Sequence, residues 1–287
     1  MLSADAYGED NDLTDTPYFL GTRTLIYSLL HDPVTRGSGE TDFIVLVSGR
    51  ISQKRRDRLT ADGAIVIDAP HILDDDRFSW ISPGGFGRWL SVLDKLEVFR
   101  MTQYERILLL DTDVIVVRPI EGIFDSPEVA VLQHNLEKSA NVKEDEPRQP
   151  SDYVMAATCN SGRKHTYPTT MCDSLNAGFV VLKPSLELYE HYLGVMMHEG
   201  RFSGEFPEQD LWNYVHRKEG NMPWTSLGDD WNIVMGNWED YEHGVRSFHE
   251  KYWAVGGDQK LTAVMNQVKG MMEGFWRMYG VDDWRNT

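Results

Sequence analysis

The chain is short of positive charge, of cysteine and of long apolar runs, and each shortage removes a class of function. Lys and Arg number 28 against 45 Asp and Glu, a formal net charge of −17. A surface with that balance repels nucleic acid and anionic lipid. It also repels a nucleotide diphosphate unless a cation mediates. The only cysteines are Cys159 and Cys172. Two thiols cannot build a disulfide framework, and their spacing matches neither a zinc nor a redox motif. Buried or idle thiols in a reducing compartment are therefore expected. No Asn-x-Ser/Thr acceptor occurs in the sequence. No run reaches bilayer length and no secretory leader is read, so a cytoplasmic placement without a membrane segment is expected.

What is present suffices for one large α/β core in 287 residues. Helical periodicity covers 18–30, with Leu20, Leu25, Ile26, Leu29 and Leu30 on one face. A buried-type strand follows at 43–47, a charged helix at 51–62 stopped by Gly63, and a short strand at 64–67. This alternation predicts a mainly parallel sheet flanked by helices. An amphipathic helix is predicted over 88–101 and further helices at 184–197 and 206–217, with a loop-like, tryptophan-rich stretch at 224–238. Residues 133–173 lose all periodicity and read as a mobile insertion, and 261–287 holds a C-terminal amphipathic helix. A single domain over 1–287 is expected.

The chain is organised around residues 103–125. Ile107 to Leu110 is apolar on both faces and gives way abruptly to Asp111-Thr112-Asp113, with a second β-branched run behind it. Side chains two apart on an extended strand share a face, so both carboxylates would point the same way. Hard oxygen ligands so placed suit Mg²⁺ or Mn²⁺, with phosphate oxygens completing the octahedron. Taken alone the triplet reads equally well as a polar strand end; its surroundings decide.

Those surroundings resemble glycosyltransferase family 8, the glycogenin and galactinol-synthase-like enzymes. Lys95-Leu96 and Thr102-Gln103-Tyr104 precede the aspartates, and Arg118-Pro119-Ile120-Glu121 follows them. Then come Leu175-Asn176-Ala177-Gly178-Phe179, Glu208-Gln209-Asp210-Leu211-Trp212-Asn213, and His249 with Lys251 and Trp253. The likeness spans about residues 88–253 and rests on the order of the motifs. It implies a GT-A fold that uses Mn²⁺ (or Mg²⁺) and a UDP-sugar donor, retaining anomeric configuration. Asp111, Asp113 and His249 would hold the metal, and Thr112 lies between the two aspartates. Lys95 and Lys251, with Arg88, would neutralise the diphosphate. Asn176, Ala177, Glu208 and Gln209 would line the sugar, with Glu208 and Gln209 positioning the reacting centre. Ser3 and Tyr7 resemble residues beside the uracil, although the strand that the family places ahead of them is truncated. An unknown sugar, polyol or protein acceptor and a possible homodimer complete the expected partners.

Two other readings compete. A haloacid-dehalogenase-like phosphatase also carries Asp-x-Asp after an apolar strand, and Gly228-Asp229-Asp230 resembles its later acidic motif. Against it, Asp111 lies over a third of the way along the chain, whereas that nucleophile strand usually opens its domain. A sugar-nucleotide-binding protein without turnover is the other.

Overall fold

Capping residues and β-branched runs divide the chain much as its patterning predicts. A computed structural model describes residues 16–81, 91–138, 142–169 and 172–279; Ser3, Tyr7 and Arg88 lie outside the described residues. Thr16 caps the first helix, α1 (Pro17–Ile26), accepting from Phe19 N at 3.4 Å with Pro17 in the first turn. Then follow β1 (Ile44–Ser48), α2 (Gln53–Ala61) and β2 (Ile65–Ala69). The segment predicted as an amphipathic α-helix is, where described, a 3-10 helix, Val92–Arg100. Its period of three sets Leu93, Leu96 and Phe99 in one fully buried row.

β3 (Ile107–Leu110) and β4 (Val114–Val116) flank the aspartate pair. α3 (Pro127–Ala130), β5 (Gln133–His134), β6 (Asp152–Tyr153), β7 (Met155–Cys159) and β8 (Leu175–Leu182) come next. Ser185 caps α4 (Leu186–Met196), and α5 (Pro207–Val215), β9 (Thr225–Ser226), β10 (Ile233–Val234) and α6 (Trp238–His243) follow. β11 (Ser247–His249) and α7 (Gln259–Met278) complete the described chain. On α7, Leu261, Met265, Val268, Met272 and Trp276 are buried, the stripe expected of an amphipathic helix.

The α/β class holds, but its sheets are more mixed than the sequence suggests. The main sheet has the order β3-β8-β7-β9 and a second has β10-β11-β4. β8 runs antiparallel to both β3 and β7, and β11 antiparallel to β4. Parallel pairing is confined to β1–β2, β7–β9 and β10–β11. Strand–helix–strand alternation forecast the β1–α2–β2 unit correctly; period alone carries no information on direction farther along. Among the described residues, β3 pairs with β8 alone and β1 with β2 alone. Between them lies an apolar cavity of about 440 Å³ lined by Leu25, Leu29, Ile44, Leu46, Leu108 and Leu110.

Two expectations need correction. Within 133–173, read as an insertion, Met155–Cys159 is a fully buried strand of the main sheet. Its Ala-Ala-Thr-Cys composition hid it, because small residues carry little hydropathy signal. Cys159 and Cys172, expected as idle thiols, are joined in a disulfide. The thiols are distant in sequence but meet because β7 pairs with β8 and Cys159 stands opposite Leu175.

Asp62 is fully buried between two arginines. Arg23 Nε lies 2.7 Å from its Oδ2 and Arg58 Nη2 2.6 Å from its Oδ1. Both guanidinium groups lie 5.6 Å from the centre of the Trp276 ring. This clasp fixes α1, α2 and α7 to one another.

Candidate active site

Asp111, Asp113 and His249 converge although 136 residues separate the last two in sequence. Their ligating atoms all lie within 4.8 Å of one another. The two aspartates do not sit on an extended strand as expected. Asp111-Thr112-Asp113 is a tight turn, closed by Val114 N donating to Asp111 O at 3.1 Å, and the turn aims both carboxylates at one point. Two glycines make that geometry possible. A Cβ on Gly21 of α1 would lie 2.0 Å from the carbonyl oxygen of Thr112, and one on Gly178 would lie 2.3 Å from His249 Cε1 and 2.9 Å from Asp111 Oδ2. Thr112 is accordingly buried, its carbonyl turned toward α1.

His249 arrives on β11, which pairs His249 with Val114 of β4. Its Nε2 lies 3.0 Å from Asp113 Oδ1 and 3.7 Å from Asp111 Oδ2. Its Nδ1 meets Asn176 Oδ1 at 2.9 Å, and Gly178 N donates to the same oxygen at 2.9 Å. An oxygen shared in that way can only accept, so Nδ1 carries the proton and Nε2 faces the carboxylates. Burial opposes charge on both partners, yet their attraction wins. His249 is raised above its ordinary value by Asp113, and Asp113 is lowered below its own by His249 and, more weakly, Lys251.

Lys95 was expected against a diphosphate and is instead nearly enclosed between two carboxylates. Its Nζ lies 2.6 Å from Asp111 Oδ1 and 2.9 Å from Glu208 Oε1. Burial disfavours its charge, but Asp111 and Glu208 more than compensate and hold it above the usual lysine value. Gln209 Oε1 accepts from Ala177 N at 3.2 Å and Asn176 Nδ2 at 3.3 Å, which leaves the amide NH₂ of Gln209 as its donor end. Ala177 is buried and contributes its backbone N–H. Lys251 acts on Asp113 through its charge and is half-buried.

Three residues that sequence reasoning passed over support this centre. Asn160 Oδ1 accepts from Asn176 Nδ2 at 3.3 Å. Arg163 donates twice to Glu250, at 3.1 Å each, and Glu250 N donates to Asp113 O at 3.1 Å. Glu250, adjoining His249, was the one visible signal. The acidic pair that suggested a phosphatase is engaged elsewhere: Asp229 accepts from Thr169 at 2.8 Å, and Asp230 from Tyr167.

A mixed α/β fold carrying an Asp-x-Asp turn and a distant histidine has the architecture of a GT-A glycosyltransferase. Among solved structures, the galactosyltransferase LgtC in complex with donor and acceptor sugar analogues superimposes with a TM-score of 0.54 at 16% identity, covering 96% of this chain and 97% of that one. An uncharacterized protein of Schizosaccharomyces pombe is 28% identical over 90% of this chain and 74% of its own length. Glycogenin of Komagataella phaffii is 28% identical over 49% of this chain and 26% of its own. No protein-family model matches the chain. The fold is thus that of the GT-A glycosyltransferases, and the sequence is similar to glycosyltransferase family 8 enzymes such as glycogenin and galactinol synthase.

Proposed function

We propose that the protein is a metal-dependent, retaining hexosyltransferase that moves a hexose from a UDP-sugar to an acceptor. The observation that carries this reading is the convergence of Asp111, Asp113 and His249 within 4.8 Å. Two carboxylates and an imidazole whose Nε2 faces them fit Mn²⁺ or Mg²⁺. These three residues would hold the ion, which when bound offsets the negative charge developing on the departing diphosphate.

The remaining residues have roles that follow from their partners. Lys95 bridges Asp111 and Glu208 and fixes their spacing, so Glu208 acts as a positioning and electrostatic residue rather than a free nucleophile. Lys251, beside Asp113, is the lysine placed to meet phosphate charge. Gln209, with its oxygen held by Ala177 and Asn176, presents its NH₂ to a sugar hydroxyl. In a retaining transfer the acceptor oxygen arrives on the face the nucleotide leaves. The departing phosphate can then take the acceptor's proton, and no protein base is needed.

The test is UDP release from a panel of UDP-sugars with Mn²⁺, with and without sugar, polyol and protein acceptors. Release that requires Mn²⁺ and stops with chelator supports the reading. Tight UDP binding with no release from any donor would instead assign the chain to binding without turnover.

A further inference from the structure

We propose that the Cys159–Cys172 disulfide is a redox-controlled brace for the Asp111, Asp113 and His249 site, acting through Asn160 and Arg163. This rests on the metal-binding reading of that site. The cystine joins the last residue of β7 to the approach of β8, at a sequence separation of 13. It sits beside the register shift of the β7–β8 ladder, between Ala157 and Cys159, and adds a covalent tie where Cys159 pairs with Leu175.

Both ends lead straight to the candidate metal ligands. Next to Cys159, Asn160 N donates to Ser174 O at 3.0 Å, and Asn160 Oδ1 accepts from Asn176 Nδ2. Asn176 in turn orients His249 through its Nδ1. Within the closed segment, Arg163 grips Glu250, whose backbone N–H holds the carbonyl of Asp113. The segment therefore supports His249 from two sides. Asn160 and Arg163 are themselves exposed or half-exposed, and with the crosslink open each would have to order a longer free loop to make the same bonds.

The sulfur chemistry is ordinary exchange with a dithiol reductant. A reductant thiolate attacks the half-buried Cys172 sulfur, the S–S bond breaks, and buried Cys159 leaves as a thiolate that takes a proton. The reductant's second thiolate resolves the mixed disulfide and frees Cys172. Two electrons and two protons reach the protein, and the reductant ends as its own disulfide.

The experiment measures Mn²⁺ affinity from the electron paramagnetic resonance signal of the free aqueous ion, without any donor sugar. It compares the oxidised chain, the dithiol-reduced chain, Cys159→Ser/Cys172→Ser and oxidised Asn160→Ala, with circular dichroism confirming that each is folded. Outer-shell partners typically contribute tenfold or more in metal affinity. Reduction and the double serine variant should each weaken Mn²⁺ by about tenfold, and Asn160→Ala should weaken it several-fold with its fold unchanged. After Asn160→Ala, reduction should cost less than in the parent, because the two share one path. Equal Mn²⁺ affinity in oxidised and reduced protein overturns the proposal, as do two free thiols in the air-oxidised chain. Should the reduced forms unfold, an unchanged affinity in oxidised Asn160→Ala overturns it instead. Absence of Mn²⁺ binding in every form would sink the metal site itself, a separable result.

Discussion

Two clusters of buried charge among the described residues are balanced in opposite ways. Around Asp62, one carboxylate is shared by Arg23 and Arg58, and all three are nearly dry. Around Asp111, three carboxylates (Asp111, Asp113 and Glu208) face Lys95 and His249, and the charge of Lys251 reaches Asp113. Asp111 remains about a quarter exposed at its side chain. The first cluster carries one more guanidinium than carboxylate and is closed to water. The second keeps an opening, through which a small, hard cation can reach its carboxylates. Burial of charge is common to both; what separates scaffold from site is whether the cluster opens to solvent.

That contrast can be broken at either end. Asp113→Ala should abolish metal-dependent UDP release, a drop of more than about a hundredfold, with thermal unfolding little changed; full activity would remove the metal role. Asp62→Ala should do the reverse. It leaves two buried guanidinium groups without their counter-ion, at a cost of about 3–5 kcal/mol in denaturant titration, while the folded fraction keeps its metal affinity. His249→Ala should weaken Mn²⁺ by about a hundredfold and donor binding with it. An unchanged manganese titration would reduce His249 to a packing residue.

A smaller effect distinguishes both clusters from a buried polar group that carries no charge. His216 is enclosed, donating from Nδ1 to Met222 O at 2.7 Å and meeting Tyr192 Oη at 2.6 Å, and burial pulls its pKa down to about 3. In the unfolded chain the imidazole titrates near 6.5. The folded value is depressed, so the native state binds fewer protons than the unfolded one. The stabilisation is complete above about pH 6.5 and is lost as pH falls toward 3, by about 1.4 kcal/mol per pH unit. Unfolding free energies at pH 7.0, 5.5 and 4.5 read this slope directly, and a flat profile would contradict it.

The α/β class and the GT-A architecture were legible in the sequence. Asp111, Asp113, Asn176, Gln209 and His249 were singled out because their motifs come in a fixed order, and the fold brings them together. Lys95 was recognised as important, but its partners were not, since charge pairing across 113 residues leaves no local trace. The same holds for Arg23 with Asp62, 39 residues apart. Met155–Cys159 escaped notice because alanine and threonine give no clear period. The cystine escaped because two isolated cysteines say nothing until a strand ladder brings them together. In the structure Thr16, Ser52 and Ser185 each cap a helix start, whereas strand direction is decided by tertiary packing.

The missing side chain at Gly21 has a mechanical consequence. With no room for even a methyl group between α1 and the carbonyl of Thr112, the first helix bears directly on the loop that spaces the two aspartates. A displacement of that helix, from any cause, would be transmitted to the two carboxylates without passing through the sheet.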